Sequence, residues 1–360
     1  MNQVRPRASI PRATYRVQLH GDFGFAAATA LVPYWAGLGI SHLYTSPLLR
    51  ARPGSRHGYD VVDHGALNPE LGTQAEFDAL VAALHAHGMG LVIDVVPNHM
   101  GVLSGDNAWW LDVLENGAAS AYAEFFDIEW RAADPALAGK VLLPILGDQY
   151  GVVLERGELR LAFDAARGYF TLEYHEHRMP VDPATYGELL RRAAQTLPAR
   201  TTPISTMVAL SRLASQFDRL PGHGSTDAAA RERRQRDKTL LKAALAHKLG
   251  ELPVLAQAIE AIVVETNGRP GERASFDILD ALIEAQPYRL AHWRIAADEI
   301  NYRRFFDINE LAALRMERAE VFEATHRLVL GLAAEGAVDG LRIDHPDGLA
   351  DPAGYFARLQ

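Results

Sequence analysis

Four short stretches rich in β-branched and aromatic residues stand out along the chain, and each ends in polar residues. They lie at 13–19 (ATYRVQL), 40–47 (ISHLYTSP), 90–97 (GLVIDVVP) and 338–344 (VDGLRID). Stretches of this composition and length are typical of buried strands. A helix-like segment precedes each of the last three. The order strand, helix, strand therefore predicts parallel pairing with right-handed crossovers.

Helical periodicity is clearest before the third and fourth stretches. Residues 74–87 carry apolar side chains at positions i, i+3, i+4 and i+7, behind a capping-box sequence and in front of a glycine. A second helix is predicted from about Glu320 to Glu335, which carries Phe322, Val329, Leu330 and Ala333 and stops at a glycine. The segment 26–38 is less regular, and Pro33 is expected to kink it or to start a new helix.

A long segment separates the third predicted strand from the fourth. It holds a Gly- and Pro-punctuated β-like stretch at 142–163 and then helix-forming residues from about Gly187 to Glu284, which indicates an inserted domain. The expected fold is α/β, of the (β/α)8 TIM-barrel type, incomplete, with the first four strands and a large, mainly helical insertion after the third. The predicted parts are the barrel start at 1–100, the inserted subdomains at 101–319, and 320–360 with barrel helix 3, strand 4 and the start of helix 4.

Composition narrows the class of protein. The chain has 360 residues, is 48% hydrophobic and 22% charged, and carries a net charge of −9, which argues against nucleic acid or an anionic membrane as its main partner. The absence of cysteine excludes disulfides, thiolate metal sites and a cysteine nucleophile. No signal-peptide pattern or long apolar run is present, so a cytoplasmic location is expected. The basic run RERRQRDK at 231–238 is interpreted as a solvated helix face.

Candidate chemistry lies at the carboxyl ends of the predicted strands, where parallel barrels place their active sites. Arg342 and Asp344 are two residues apart on one strand and so point to the same face. An arginine beside a carboxylate favours the ionised form, which suits a nucleophile, and Asp94 can orient that arginine from the neighbouring strand. The alternatives are a structural ion pair and, for His99, a core histidine.

Three short motifs in these positions resemble the α-amylase superfamily: DVVPNH at 94–99, GLRID at 340–344 and HGYD at 57–60. The resemblance implies a role for each matching position. Asp344 is expected to be the nucleophile, Arg342 its ion-pair partner, Asp94 a structural carboxylate, His99 a hydrogen-bond partner of the sugar hydroxymethyl group and Tyr59 a platform for the sugar ring.

Within the superfamily, residues 40–72 and the segment NYRRFFDINELAALR at 301–315 resemble the maltooligosyl trehalose synthases. A packed helix start is the alternative for the second segment. His345 and Asp347, in HPDGL, stand where amylases usually carry a Lys-His pair, so we expect them to bind the leaving-side sugar. The resemblance implies conversion of the reducing-end α-1,4 bond of a maltooligosaccharide to an α,α-1,1 bond by intramolecular transglucosylation.

A second catalytic carboxylate is also expected, because retaining glycosidases need an acid/base beside the nucleophile. In the superfamily it is a glutamate after the fifth strand, and no glutamate in these 360 residues matches its context. We therefore expect a truncated, largely inactive chain whose open sheet edge is covered by the missing C-terminal half of the same enzyme. Neither a cofactor nor a metal is expected, although Asn98 corresponds to a calcium ligand in many amylases. The alternatives are an α-1,4-glucan hydrolase or glucanotransferase, and a catalytically dead glucan-binding module.

Overall fold

The computed structural model describes residues 10–103, 105–197 and 203–360, which divide into two compact units. The first unit contains Met1–Val102 and Arg304–Gln360, and the second contains Leu103–Arg303. In this division the segment 304–319, which the sequence assigned to the insertion, belongs to the first unit. The first nine residues, and residues 198–202 of the predicted helical stretch, lie outside the described part of the chain.

The elements are numbered in chain order. The strands are β1 (Thr14–Val17), β2 (His42–Thr45), β3 (Leu49–Ala51), β4 (Val61–Leu67), β5 (Gly90–Val95), β6 (His99–Gly101), β7 (Val141–Leu146), β8 (Arg160–Asp164), β9 (Tyr169–Tyr174), β10 (His177–Pro180), β11 (Tyr288–His292), β12 (Arg304–Phe305), β13 (Ile308–Ala313) and β14 (Gly340–Ile343). The α-helices are α1 (Phe25–Gly37), α2 (Gln74–Ala86), α3 (Ala108–Asn116), α4 (Tyr150–Glu155), α5 (Tyr186–Thr196), α6 (Ile204–Asp218), α7 (Ala228–Glu251), α8 (Pro253–Thr266), α9 (Asp277–Glu284), α10 (Ala296–Glu299), α11 (Ala319–Glu335) and α12 (Pro352–Leu359). Short 3-10 helices occupy Gly117–Ala119, Pro135–Leu137, Pro183–Thr185, Arg273–Phe276, Trp293–Ile295 and Pro346–Gly348.

The four predicted strands form the central sheet of the first unit. Their order is β1-β2-β5-β14, and every neighbouring pair is parallel, which confirms the predicted pairing. Among the described residues the sheet remains open, with β1 and β14 at its edges.

One face of this sheet forms the core of the first unit. Val17, Leu43 and Ile93 point to that face and cluster with buried side chains of the surrounding helices, such as Phe25 of α1 and Phe77 of α2. Burial of each such side chain stabilises the fold by roughly 1.5–3 kcal/mol. A register slip by one residue would move this apolar set to the opposite face, so burial determines which residues the other face presents.

The helix ends follow the sequence signals closely. The hydroxyl of Thr73 accepts a hydrogen bond from the Glu76 amide, and the Glu76 carboxylate accepts one from the Thr73 amide, which is the predicted capping box of α2. Helix α11 ends at Gly336, in the left-handed conformation with φ 81°. The alternative of a new helix at Pro33 is wrong, because α1 continues through it. Pro33 lies on the exposed side of α1, where water can satisfy the carbonyl that lacks its amide partner.

In the second unit, β8, β9 and β10 form an antiparallel sheet and β7 pairs with β11 in parallel. The prediction of a β-like stretch at 142–163 is partly wrong, because α4 interrupts it. Helices α5 to α9 occupy the stretch predicted to be helical. Within the described residues, no helix is both long and apolar enough to cross a membrane.

The interpretation of the basic run at 231–238 as a solvated face is wrong for two of its residues. Arg234 is 1% exposed and donates hydrogen bonds to the Asp182 carboxylate at 2.6 Å and the Asn116 side chain at 2.9 Å. Lys238, one turn later, is also buried and contacts Glu115 at 2.6 Å. The inner face of α7 thus begins with paired charges, and its apolar residues come later in the helix.

Candidate active site

Arg342 is the centre of an ion cluster at the carboxyl end of the first unit's sheet. In the pairing of β14 with β5, Arg342 lies opposite Asp94. Its Nη1 donates to the two Asp94 carboxylate oxygens at 2.9 and 3.1 Å and to Oδ1 of Asp344 at 2.5 Å. Although partial burial acts to lower it, these two carboxylates raise the pKa of Arg342. The cation is therefore permanently available to both acids.

Asp94 is fully engaged beneath this cluster. Its side chain is completely buried, and Oδ2 also accepts hydrogen bonds from the hydroxyls of Tyr44 at 2.9 Å and Tyr59 at 2.7 Å. Both oxygens of Asp94 are therefore occupied, which is the arrangement of a carboxylate that orients its neighbours.

Tyr59 is held by its hydroxyl group. It donates to Asp94 and accepts from Arg16 at 3.0 Å, and the Arg16 guanidinium lies 5.5 Å from the centre of the Tyr44 ring. Burial and the hydrogen bond to Asp94 raise the pKa of Tyr59 to about 12, so the hydroxyl stays protonated at neutral pH. The ring orientation of Tyr59 is thus fixed by charged partners.

Sequence reasoning missed Arg16 and Tyr44, although a signal was present. In the registered sheet Arg16 pairs with Tyr44, and the alternation of strand side chains puts both on the face that carries Asp94 and Arg342. Extending the period-two pattern from Asp94 to the two preceding strands would have found them.

His99 lies beside Tyr59. It is buried in β6, its Nε2 is 3.2 Å from the Tyr59 carbonyl oxygen, and its ring centre is 4.2 Å from that of Phe305. The structure therefore brings His99 next to the predicted sugar platform.

His345 follows Asp344 directly and has a left-handed backbone, with φ 46°. Its ring centre is 5.0 Å from that of Phe305 and 5.3 Å from that of Phe306, and its Nδ1 is 3.3 Å from a carboxylate oxygen of exposed Asp347. A Cβ at Gly348 would lie 2.5 Å from the His345 ring. The glycine of HPDG is thus required for this ring to pack where it does.

Access distinguishes Asp344 from Asp94. The Asp344 side chain is 16% exposed, and in the described residues its Oδ2 accepts no hydrogen bond. A carboxylate with one oxygen held by a cation and the other open can attack an electrophilic carbon. In the described ranges, no group of three or more His, Asp or Glu side chains is arranged to hold a metal ion.

Comparisons with known proteins find similar chains along almost the whole sequence. The family model of the α-amylase catalytic domain matches residues 21–170. A candidate maltooligosyl trehalose synthase of Mycobacterium tuberculosis is 35% identical over 354 residues, which make up 97% of this chain and 32% of that protein. The maltooligosyl trehalose synthase structure from Arthrobacter ramosus is 33% identical, with a TM-score of 0.63 over 97% of this chain and 33% of its own.

Over nearly its whole length the chain is similar to maltooligosyl trehalose synthases, and part of it matches the α-amylase catalytic domain. Its barrel-type fold is that of these enzymes. An intracellular maltogenic amylase of Bacillus subtilis is 37% identical over 127 residues, which make up 35% of this chain. The chain spans about a third of the length of the synthases that it matches, less than the half expected from the sequence.

Proposed function

We propose that this chain is the N-terminal part of an enzyme that converts the reducing-end α-1,4 bond of a maltooligosaccharide to an α,α-1,1 bond by intramolecular transglucosylation. The observation that carries the proposal is the cluster in which buried Asp94 holds Arg342 and Arg342 holds accessible Asp344. The similarity to maltooligosyl trehalose synthases over 97% of the chain supports the substrate and product class.

In this mechanism Asp344 is the nucleophile. Its open Oδ2 attacks the anomeric carbon of the glucose unit next to the reducing end, and the bond to the terminal glucose breaks. Arg342 keeps the carboxylate ionised, and Asp94 keeps Arg342 in place. The anomeric hydroxyl of the released glucose then displaces Asp344, and two displacements retain the α configuration.

The neighbouring side chains would bind the sugars. Tyr59 is the proposed platform for the glucose unit that becomes attached to Asp344, and His99 the partner of its hydroxymethyl group. His345 and Asp347 are proposed to hold the leaving-side glucose, which must stay bound while water is kept out. The fixed Tyr59 hydroxyl supports this assignment, because a platform that cannot rotate presents one ring face to the substrate.

The proton donor for the leaving group must be a second carboxylate about 5 Å from the nucleophile. Asp94 is unsuited, because Arg342, Tyr44 and Tyr59 already donate to its two oxygens. We propose that the donor comes from another part of the enzyme and that these 360 residues alone have little or no turnover. A cytoplasmic location also remains a proposal.

Product analysis tests the proposal. We would incubate maltopentaose with the 360-residue chain and with the product of its extended reading frame. Loss of reducing ends with the extended product, and almost none with the chain alone, is the expected result. Accumulating reducing ends would instead indicate a glucan hydrolase, and binding without turnover by either protein a glucan-binding module. Clear turnover by the 360 residues alone would overturn the proposed need for another proton donor.

A further inference from the structure

Phe306 is an unusual residue at the tip of the β12–β13 hairpin. Phe306 is 71% exposed, and its backbone is left-handed, with φ 52°. Residues with a Cβ adopt this conformation rarely, and glycine or asparagine is the usual choice. An exposed phenylalanine in such a position is unfavourable for both the backbone and the side chain. Its role is therefore functional and not to stabilise the fold.

The hairpin tip is held firmly in this conformation. The Arg304 side chain donates to the Asn309 side-chain oxygen at 2.5 Å and to the Asp307 carbonyl at 3.1 Å. The Phe306 ring contacts Phe305 at 4.6 Å between ring centres and His345 at 5.3 Å. The backbone of His345 is left-handed like that of Phe306, and His345 follows Asp344 in the chain.

We infer that Phe306 is a substrate-positioning residue whose exposed ring packs against the leaving-side glucose of a maltooligosaccharide. The inference rests on the proposed function and deepens it. The two faces of a glucose ring present C–H groups, which pack on an aromatic ring, while its edges carry hydroxyls. His345 and Asp347 would meet the hydroxyl edge, and Phe306 would meet a C–H face and remove water from it.

The hairpin allows ring loss and backbone strain to be separated. Phe306→Gly removes the ring and also relieves the left-handed backbone, whereas Phe306→Trp keeps a ring. Phe306→Asn is a second ringless variant, because asparagine tolerates this conformation. Trp293→Leu, at another exposed aromatic residue, is the matched control.

Titration calorimetry with maltopentaose and thermal unfolding of the 360-residue chain give the two readouts. We expect the glycine and asparagine variants to bind at least about tenfold more weakly with a Tm that is unchanged or higher, and Phe306→Trp and the control to bind within about threefold of the wild type. Binding of both ringless variants within about twofold of the wild type would overturn the inference and leave the proposed function standing. Failure of the wild-type chain to bind maltopentaose would count against both.

Discussion

Each of the two units holds an arginine paired with a buried carboxylate, and the two clusters differ in whether a carboxylate oxygen stays accessible. In the second unit, Arg234 is 1% exposed, and both oxygens of buried Asp182 are engaged, by Arg234, His223 and the Ala184 amide. In the first unit, Arg342 is 45% exposed, and Asp344 keeps one oxygen that accepts no hydrogen bond among the described residues. Contact between an arginine and a carboxylate therefore does not mark a catalytic site. The proposed role of Asp344 as nucleophile rests instead on its accessible oxygen.

The buried cluster of the second unit contains ionised carboxylates that depend on their partners. Burial acts to raise the pKa of Asp182, yet the hydrogen bond from His223 and the charge of Arg234 hold it below its ordinary value. Burial likewise acts to raise the pKa of Glu115, and Lys242 and Lys238 hold it low. Such a network is stable only while every partner is present, because a charge left alone in the interior is strongly unfavourable.

The largest effect is expected from Arg234→Met. The substitution keeps most of the side-chain volume and leaves the Asp182 carboxylate buried without its cation. We expect the free energy of unfolding of the second unit to fall by about 3–5 kcal/mol. Urea unfolding, monitored by hydrogen exchange of peptides from α7, measures this change in the free energy of unfolding. A loss below about 1 kcal/mol would show that the cluster behaves like a surface pair.

Acid is expected to destabilise the first unit before the second. The groups responsible are His64 and His326 of the first unit. Burial lowers the pKa of each to about 4. The unfolded chain takes up these protons near pH 6.5 and the folded chain does not, so stability falls as the pH drops from about 6.5 to about 4, by roughly 3 kcal/mol for each histidine.

The buried carboxylates of the second unit respond at lower pH. The pKa values of Asp182 and Glu115 lie below the ordinary 3.8 and 4.5, so their contribution is lost only as the pH falls beneath that range. Hydrogen exchange between pH 7 and pH 4 should therefore show the first unit opening before the second. His326→Gln should flatten the response of the first unit, and simultaneous opening of both units would refute this assignment.

A smaller stability effect is expected from Arg342→Met in the open cluster. Half-exposed, this arginine is partly replaced by water, and Tyr44 and Tyr59 still donate to Asp94, so we expect a loss of about 1 kcal/mol. Arg273→Met, at an 87% exposed partner of Glu155, is the control and should change stability by at most about 0.5 kcal/mol. Chemical denaturation of the three methionine variants measures the loss of stability in each. Losses that did not increase with the burial of the replaced arginine would contradict the comparison.

Much of the first unit was readable from the sequence because its signals are local. The four strands end in polar residues, the capping box begins α2 and Gly336 ends α11, and each needs only neighbouring residues to form. The strand register then brings Asp94 beside Arg342, as the positions in the motifs indicated. Their chemical roles remain predictions.

Other features depend on partners far away in the chain. The buried side of α7 is charged because Asp182 and Glu115 meet it, and neither lies near Arg234 in the sequence. The alternative of a packed helix start for residues 301–310 is wrong, since 304–305 and 308–313 are strands joined by a tip at Phe306, and β13 pairs with β6. Helix propensity has no means of anticipating that pairing.

The most direct test of Asp344 as the nucleophile bypasses the proton donor. Fluoride leaves an activated glycosyl fluoride without acid assistance, so an α-maltosyl fluoride with a slowing 5-fluoro substituent should label the nucleophile of the 360-residue chain itself. Mass spectrometry of the digested protein should find the added sugar on the peptide that contains Asp344, and Asp344→Asn should abolish it. A label on any other residue, or none on the wild-type chain, would contradict the account.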